Sequence, residues 1–163
     1  MSKIDFQNLP DTTTPVNATN LNLIQERNVL MIGYTNDVAC SIIGAYTQMT
    51  GFSVVNSVGN KITLNNNDEI VIGQGISKIK VSSKISRYST TAGIKYLYIR
   101  KNGENQIWST INAPSNTYTT EAIPDAVISV SQNDKITFTY FTNQSGDSFN
   151  GQLRTYITVE AIQ

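Results

Sequence analysis

From Ile42 onward the apolar residues of this chain recur at every second position, and that period limits the fold more than any other feature. Between Ile76 and Arg87, the side chains of Ile79, Val81 and Ile85 fall on one side and those of Lys78, Lys80 and Lys84 on the other. This is the pattern of a strand with one buried and one wet face. Ile94 to Lys101 differs, because Leu97 and Ile99 share one face while Ile94, Tyr96 and Tyr98 share the other. Both faces are apolar or aromatic, so both are expected to be covered. Asn102-Gly103 then reads as a tight hairpin turn, since both residues tolerate positive φ. The return strand, Gln106 to Ile111, puts Ile107 and Ile111 on one side and Trp108 on the other. Thr117–Ile123 and Ala126–Val130 continue the pattern around Pro124-Asp125. Lys135–Thr142 carries Ile136, Phe138 and Tyr140 on one face, and Gly151–Ile162 sets Leu153, Ile157 and Val159 against Tyr156 and Ile162. Asn65-Asn66-Asn67 and Ser145-Gly146-Asp147 mark polar turns. Around eight strands joined by such turns, with no helix among them, predict an all-β fold: a jelly-roll sandwich.

The beginning of the chain is built differently. Asn8 to Asn22 holds Pro10, Pro15 and a run of threonines but almost no large apolar residue. Proline fixes φ, removes a donor and pushes its predecessor towards an extended conformation. The segment is expected to be an arm that lies on something else. Behind it, Thr19 or Asn20 can cap a short helix, with Leu21, Ile24, Asn28 and Met31 at three- and four-residue spacing. That spacing fits either a short coiled-coil seam with Asn28 fixing its register or one helical turn packed on the domain. The division expected is therefore an arm and short helix over 1–30 and a jelly-roll domain over 31–163.

A globular part of about 130 residues buries roughly two-thirds of its unfolded surface, enough for its own core. The 12 basic and 12 acidic residues balance, which argues against nucleic acid as a partner. Charged residues make up only 15% of the chain, while Ser, Thr and Asn contribute 52 of its 163 residues, so the wet surface is largely uncharged. The one cysteine, Cys40, allows no intrachain disulfide and reads as a small buried hydrophobe. Met1-Ser2-Lys3-Ile4-Asp5 opens no signal-peptide run, and no stretch is long enough to cross a bilayer, so synthesis in the cytoplasm and no membrane insertion are expected. The acceptor patterns at Asn17 and Asn143 have no use without a secretory route.

Histidine is absent, which removes Ser-His-Asp and Cys-His systems and histidine metal sites. Gly73-Gln74-Gly75 precedes a strand rather than a helix and reads as a turn, not a phosphate loop. Glycoside cleavage needs two carboxylates across a cleft. Of Glu104, Glu121, Asp125, Asp134 and Asp147, all but Glu121 sit in turn-like contexts. No Asp/Asn loop has calcium spacing. No enzyme activity, metal or cofactor is expected.

Aromatic residues carry more. Trp108, off the core face, suits either a subunit contact or a ligand site, and Tyr118 and Tyr88 near strand ends are candidates to line a saccharide groove with it. The doubly apolar strand places Tyr96 and Tyr98 at a subunit interface, with Phe138, Tyr140 and Tyr156 extending that surface. The Lys78, Lys80 and Lys84 face suits either an anionic wall polymer or plain solvation that blunts edge pairing.

Two resemblances add to this reading. Residues 4 to 25, with Leu9, Pro10, Asp11, Pro15 and Leu21, resemble the start of virion proteins of phages of Gram-positive bacteria, found in tail fibres, baseplates and head fibres. That likeness implies an arm attached to other virion proteins. Ile76–Ser82, Lys95–Gly103 and Asp134–Tyr140 resemble strands of the trimeric jelly roll of the tumour necrosis factor (TNF) and complement globular-head superfamily. That likeness implies a homotrimer with one sheet of each subunit along the axis. Together they imply a non-enzymatic receptor-binding module on the virion that recognises host cell-wall or surface saccharide. The alternative is a head-fibre, decoration or baseplate subunit that only assembles.

Overall fold

A computed structural model describes residues 27–40, 42–143 and 146–162. Among them are fourteen strands and no helix, arranged as two antiparallel sheets whose inner faces share one core. The first sheet runs β2 (Val38–Ala39), β13 (Ser148–Phe149), β7 (Lys78–Ser89), β14 (Tyr156–Ile162), β1 (Val29–Gly33) and β4 (Ser53–Val58). β10 (Thr117–Glu121) and β11 (Ala126–Ser129) also pair with β7. The second runs β5 (Ile62–Asn65), β6 (Glu69–Ile72), β12 (Lys135–Phe141), β8 (Gly93–Lys101) and β9 (Glu104–Ala113), and β3 (Tyr46–Gln48) joins β12. The expected jelly-roll sandwich is the fold observed.

The two-residue period explains the core. Ile79, Val81 and Ile85 of β7, Leu30 and Ile32 of β1, and Ile157 and Val159 of β14 point inward from the first sheet. Ile70, Ile72, Leu97, Ile99 and Ile136 meet them from the second. Tyr34 and Phe52 close one part of the core as a parallel ring stack 4.6 Å apart.

Where Asn28 and Met31 were expected to be helical, the chain is extended. Met31 lies within β1, and Asn28 is buried just before it. Leu30 and Ile32 alternate as well as the helical set does, and strands on both sides settle the competition: β14 and β4 each pair with all five residues of β1. The Asn28 carbonyl accepts the Ala161 N–H at 2.8 Å, and its side-chain oxygen accepts the Lys61 N–H at 3.1 Å. Asn28 is thus a backbone clasp rather than a coiled-coil register residue. β1 starts at Val29. The remainder of the helix, and the arm residues Leu9, Pro10, Asp11, Pro15 and Leu21, lie outside the described residues.

The Asn102-Gly103 turn forms as expected, with φ of 51° and 87° at its two residues. Asn102 also ties the hairpin to the neighbouring turn: its side chain donates to Asp134 Oδ1 at 2.7 Å and accepts the Lys135 N–H at 2.9 Å. Asp134 Oδ2 accepts the Ser131 N–H at 2.9 Å. The hydrogen bond from Asn102, then that from Ser131, hold the Asp134 carboxyl below its ordinary range. A folded-state pKa below the unfolded one stabilises the fold above the ordinary carboxylate range, and that contribution is lost as pH falls through the folded value. Asp134→Asn is therefore expected to destabilise most at neutral pH. The gap to wild type should shrink below about pH 4, as read by urea denaturation across pH. A gap independent of pH would show that the ionised form contributes nothing.

Candidate functional site

Register divides the aromatic residues into two groups. Across β8 and β12, Phe138 lies opposite Ile99 and Tyr140 opposite Leu97. Residues directly opposite share a face, so Phe138 and Tyr140 belong to the core, and both are buried there. They do not extend an outer surface, contrary to expectation. Phe141, one residue on and opposite Tyr96, does. Tyr156 lies on β14 in the other sheet and so is not part of that surface either.

The outer face of the second sheet carries one continuous aromatic group. Tyr98 is opposite Trp108 across β8 and β9, and their rings stack at 6.5 Å and 25°. Tyr96 lies 6.4 Å from both Tyr98 and Trp108. Tyr46, from β3, meets Tyr98 edge-on at 5.1 Å and Phe141 at the same distance. Trp108 is 58% exposed, Tyr46 55% and Ile94, at the start of the same strand, 49%. The loop leading into β3 exposes Ile42 and Ile43. Tyr98 donates to the Tyr46 hydroxyl at 3.2 Å. Burial against its neighbours and then this hydrogen bond push its phenol up to about 12, so it stays neutral at any physiological pH.

Trp108 sits off the core while Ile107 packs against it, as the alternation predicts. Trp108→Ala is accordingly expected to lower domain stability by well under the roughly 3–5 kcal/mol of a core tryptophan. Guanidinium unfolding of the isolated domain is the measure, and a loss within the core range would place the indole inside.

The second group stands apart from the first. Tyr88 and Tyr118 face each other across β7 and β10, with ring centroids 4.9 Å apart. The three residues expected to line one saccharide groove are therefore split, with Trp108 in the aromatic face of the second sheet and Tyr88 and Tyr118 on the first sheet. Tyr118 borders an open polar depression with Asp37, Asn150, Gly151, Gln152 and Arg154. Sequence reading missed Asp37, Asn150, Gln152 and Arg154, which two separated loops bring together beside Tyr118.

The structure also places a charge pair that alternation alone did not reveal. Lys95 occupies an inward position on β8, and both it and Asp147 are fully buried, with Nζ 2.6 Å from Oδ2. The Thr142 hydroxyl donates to Asp147 Oδ2 at 2.7 Å and accepts from Lys95 at 3.0 Å. The Thr90 N–H reaches Asp147 Oδ1 at 3.3 Å. Nearby Cys40 is buried as expected, and burial pushes its thiol up to about 12. It is an inert packing residue at neutral pH.

Three of the candidate carboxylates are tied into separate contacts. Asp147 is held by Lys95, Asp134 by its turn, and Asp125 by Lys80 at 2.6 Å. That last contact, with a hydrogen bond from Ser82, lowers the Asp125 carboxyl. Lys78 and Lys84 are exposed on the outer face of β7, the solvated side of the strand. Among the described residues no three acidic, cysteine or histidine groups gather into a metal site.

No protein-family model matches the sequence, and no curated protein matches it. Solved structures do match. Murine APRIL, in a crystal structure at pH 5.0, aligns with a TM-score of 0.67 at 13% identity, covering 84% of this chain and 100% of that one. An Eiger TNF from S. frugiperda aligns at 0.64 and 10% identity, covering 84% and 93%. The vertex protein P5 of phage PRD1 aligns at 0.59 and 17% identity, covering 83% and 73%. At such identities the likeness establishes the fold, which is a TNF-like jelly roll.

Proposed function

We propose that this chain is a non-enzymatic phage virion protein that assembles as a homotrimer and recognises host-surface saccharide. The observation that carries the assembly is the aromatic face of the second sheet. Trp108, Tyr46 and Ile94 are each about half exposed there, around Tyr96, Tyr98 and Phe141. An apolar surface of this extent is unusual on a soluble monomer and marks an interface. A second copy of the chain is its occupant. Isoleucines beside the rings suit a dry protein contact better than a sugar. The TNF-like fold supports a three-fold arrangement, as the family resemblance implies. Three subunits multiply weak sites without new contacts. The Tyr88–Tyr118 pair beside a polar depression supports saccharide binding, and the engagement of Asp125, Asp134 and Asp147 in separate structural contacts supports binding without reaction.

A second reading, a vertex or decoration subunit that only assembles, has its support in the likeness to the PRD1 vertex protein. Two measurements separate the readings. Sedimentation equilibrium is expected to give three times the 18.0 kDa chain mass. The labelled protein is expected to co-sediment with purified Gram-positive cell walls, and periodate oxidation of wall sugars should abolish this. Trimers that ignore the walls favour the assembly subunit. A monomer overturns the trimer, and wall binding that survives periodate overturns the saccharide.

A further inference from the structure

The far end of the first sheet holds a built polar site. β1 runs from Val29 to Gly33 away from the place where Arg27 pairs with Glu160 at 3.0 Å, and β14 runs back towards it. The loop at 34–37 and the loop at 150–155 therefore meet at the opposite end of the sheet from Arg27.

The two loops are locked together. Asp37 Oδ1 accepts the Gly151 N–H at 2.7 Å, the Gln152 N–H donates to the Thr35 carbonyl at 3.0 Å, and the Leu153 N–H donates to that of Tyr34 at 3.0 Å. A Cβ on Gly151 would lie 2.3 Å from the Asn36 backbone, so only glycine fits there. Gln152 and Leu153 are held at φ of 52° and 58°, a conformation that costs a non-glycine residue and persists only where its surroundings enforce it.

The floor of this depression contains an unmet acceptor. Asn150 is 4% exposed; its Nδ2 donates to Ser86 Oγ at 2.9 Å, yet its Oδ1 has no donor among the described residues. A buried amide oxygen without a donor costs about 1–3 kcal/mol. Above lie the Asp37 carboxylate, the exposed Gln152 and Arg154 side chains, and the Tyr118 ring, 62% exposed and backed by Tyr88. A carboxylate to accept, a guanidinium and an amide to donate, and an exposed ring beside them form the complement of one neutral sugar ring.

We infer that this depression is the saccharide site: a neutral pyranose lies against Tyr118, donates a hydroxyl hydrogen bond to Asp37, and accepts from Gln152 and Arg154. The inference rests on the saccharide reading proposed above and assigns its residues. It leaves Trp108 to subunit contact.

The test is a titration of the full-length 15N-labelled protein with methyl glucoside, methyl galactoside, N-acetylglucosamine and, separately, inorganic phosphate. At least one sugar is expected to shift the Gly151, Gln152 and Arg154 amides with a dissociation constant near 1 mM. Tyr118→Ala and Arg154→Ala should each weaken it tenfold or more, and Trp108→Ala should leave it unchanged. Sugar shifts confined to residues around Trp108 would overturn the site while leaving saccharide recognition intact. Phosphate binding here without sugar binding would make it an anion site and overturn the inference, as would silence to all four probes. Wall co-sedimentation, scored independently, decides whether the broader reading falls with it.

Discussion

Tyr98→Asp is expected to reduce the assembly from three chains to one. Tyr98 sits centrally in the aromatic face, with the rings of Tyr46, Tyr96 and Trp108 around it. On a closed cyclic interface one substitution appears in every subunit. Three carboxylates would be taken from water into a largely apolar contact, with Arg100 on the same strand as the nearby cation. An ionised group left buried and unpaired costs several kcal/mol. The sedimenting mass should fall to the 18.0 kDa of a single chain, with the β-rich circular dichroism spectrum retained, because the residue faces away from the core. Tyr98→Phe is the control: it removes the hydrogen bond to Tyr46 but keeps the ring, and should preserve the trimer. If Tyr98→Asp leaves the mass unchanged, this face is not where subunits meet.

Lys95→Met should have the largest effect on the domain itself. It removes the cation from a fully buried pair and leaves Asp147, among the contacts of the described residues given above, with the Thr142 hydroxyl and the Thr90 N–H. Breaking such a pair from one side costs about 3–5 kcal/mol, because the remaining charge has lost its partner rather than regained water. That is a large share of the roughly 5–15 kcal/mol that holds a typical domain together. Urea denaturation should show it as a lower midpoint with an unchanged slope. The double variant Lys95→Met, Asp147→Leu should recover much of the loss, since a matched apolar pair replaces a matched ionic one. A single-variant loss under about 1 kcal/mol would mean that the pair is not a structural tie.

The legible parts of the sequence were those where local chemistry leaves one option. Asn102-Gly103 demands positive φ at both residues, and the hairpin formed there. The alternation in β7 carries lysines on one face only, so its buried side could be read directly. Alternation in β12 gave the right partition, with Ile136, Phe138 and Tyr140 together, but not its direction. Thr137 and Thr139 on the opposite face are buried as well, so polarity does not label the outside. Only the register with β8 does. The beginning of β1 reads as helix because four apolar or amide positions fit a helical stripe, while its strand pairing comes from β4 and from β14, the latter more than a hundred residues away. The polar depression had no local signature. It draws on residue 37, residue 118 and the run from 150 to 154, each an ordinary loop or strand residue until the sheets bring them together.

The position of β14 also bears on how the protein is made. Tyr156–Ile162 is inserted between β1 and β7, in the middle of the first sheet. β1, synthesised more than a hundred residues earlier, has one of its two edges open until this strand arrives, with Leu30 and Ile32 lacking their Ile157 and Val159 neighbours. The domain therefore cannot mature progressively on the ribosome: its nascent chain waits with open strand edges, then closes in one late event. Such non-local closure belongs to the millisecond-to-second range of folding rather than the microsecond range. During that wait, several chains growing side by side on one message would be most prone to pair wrongly with each other.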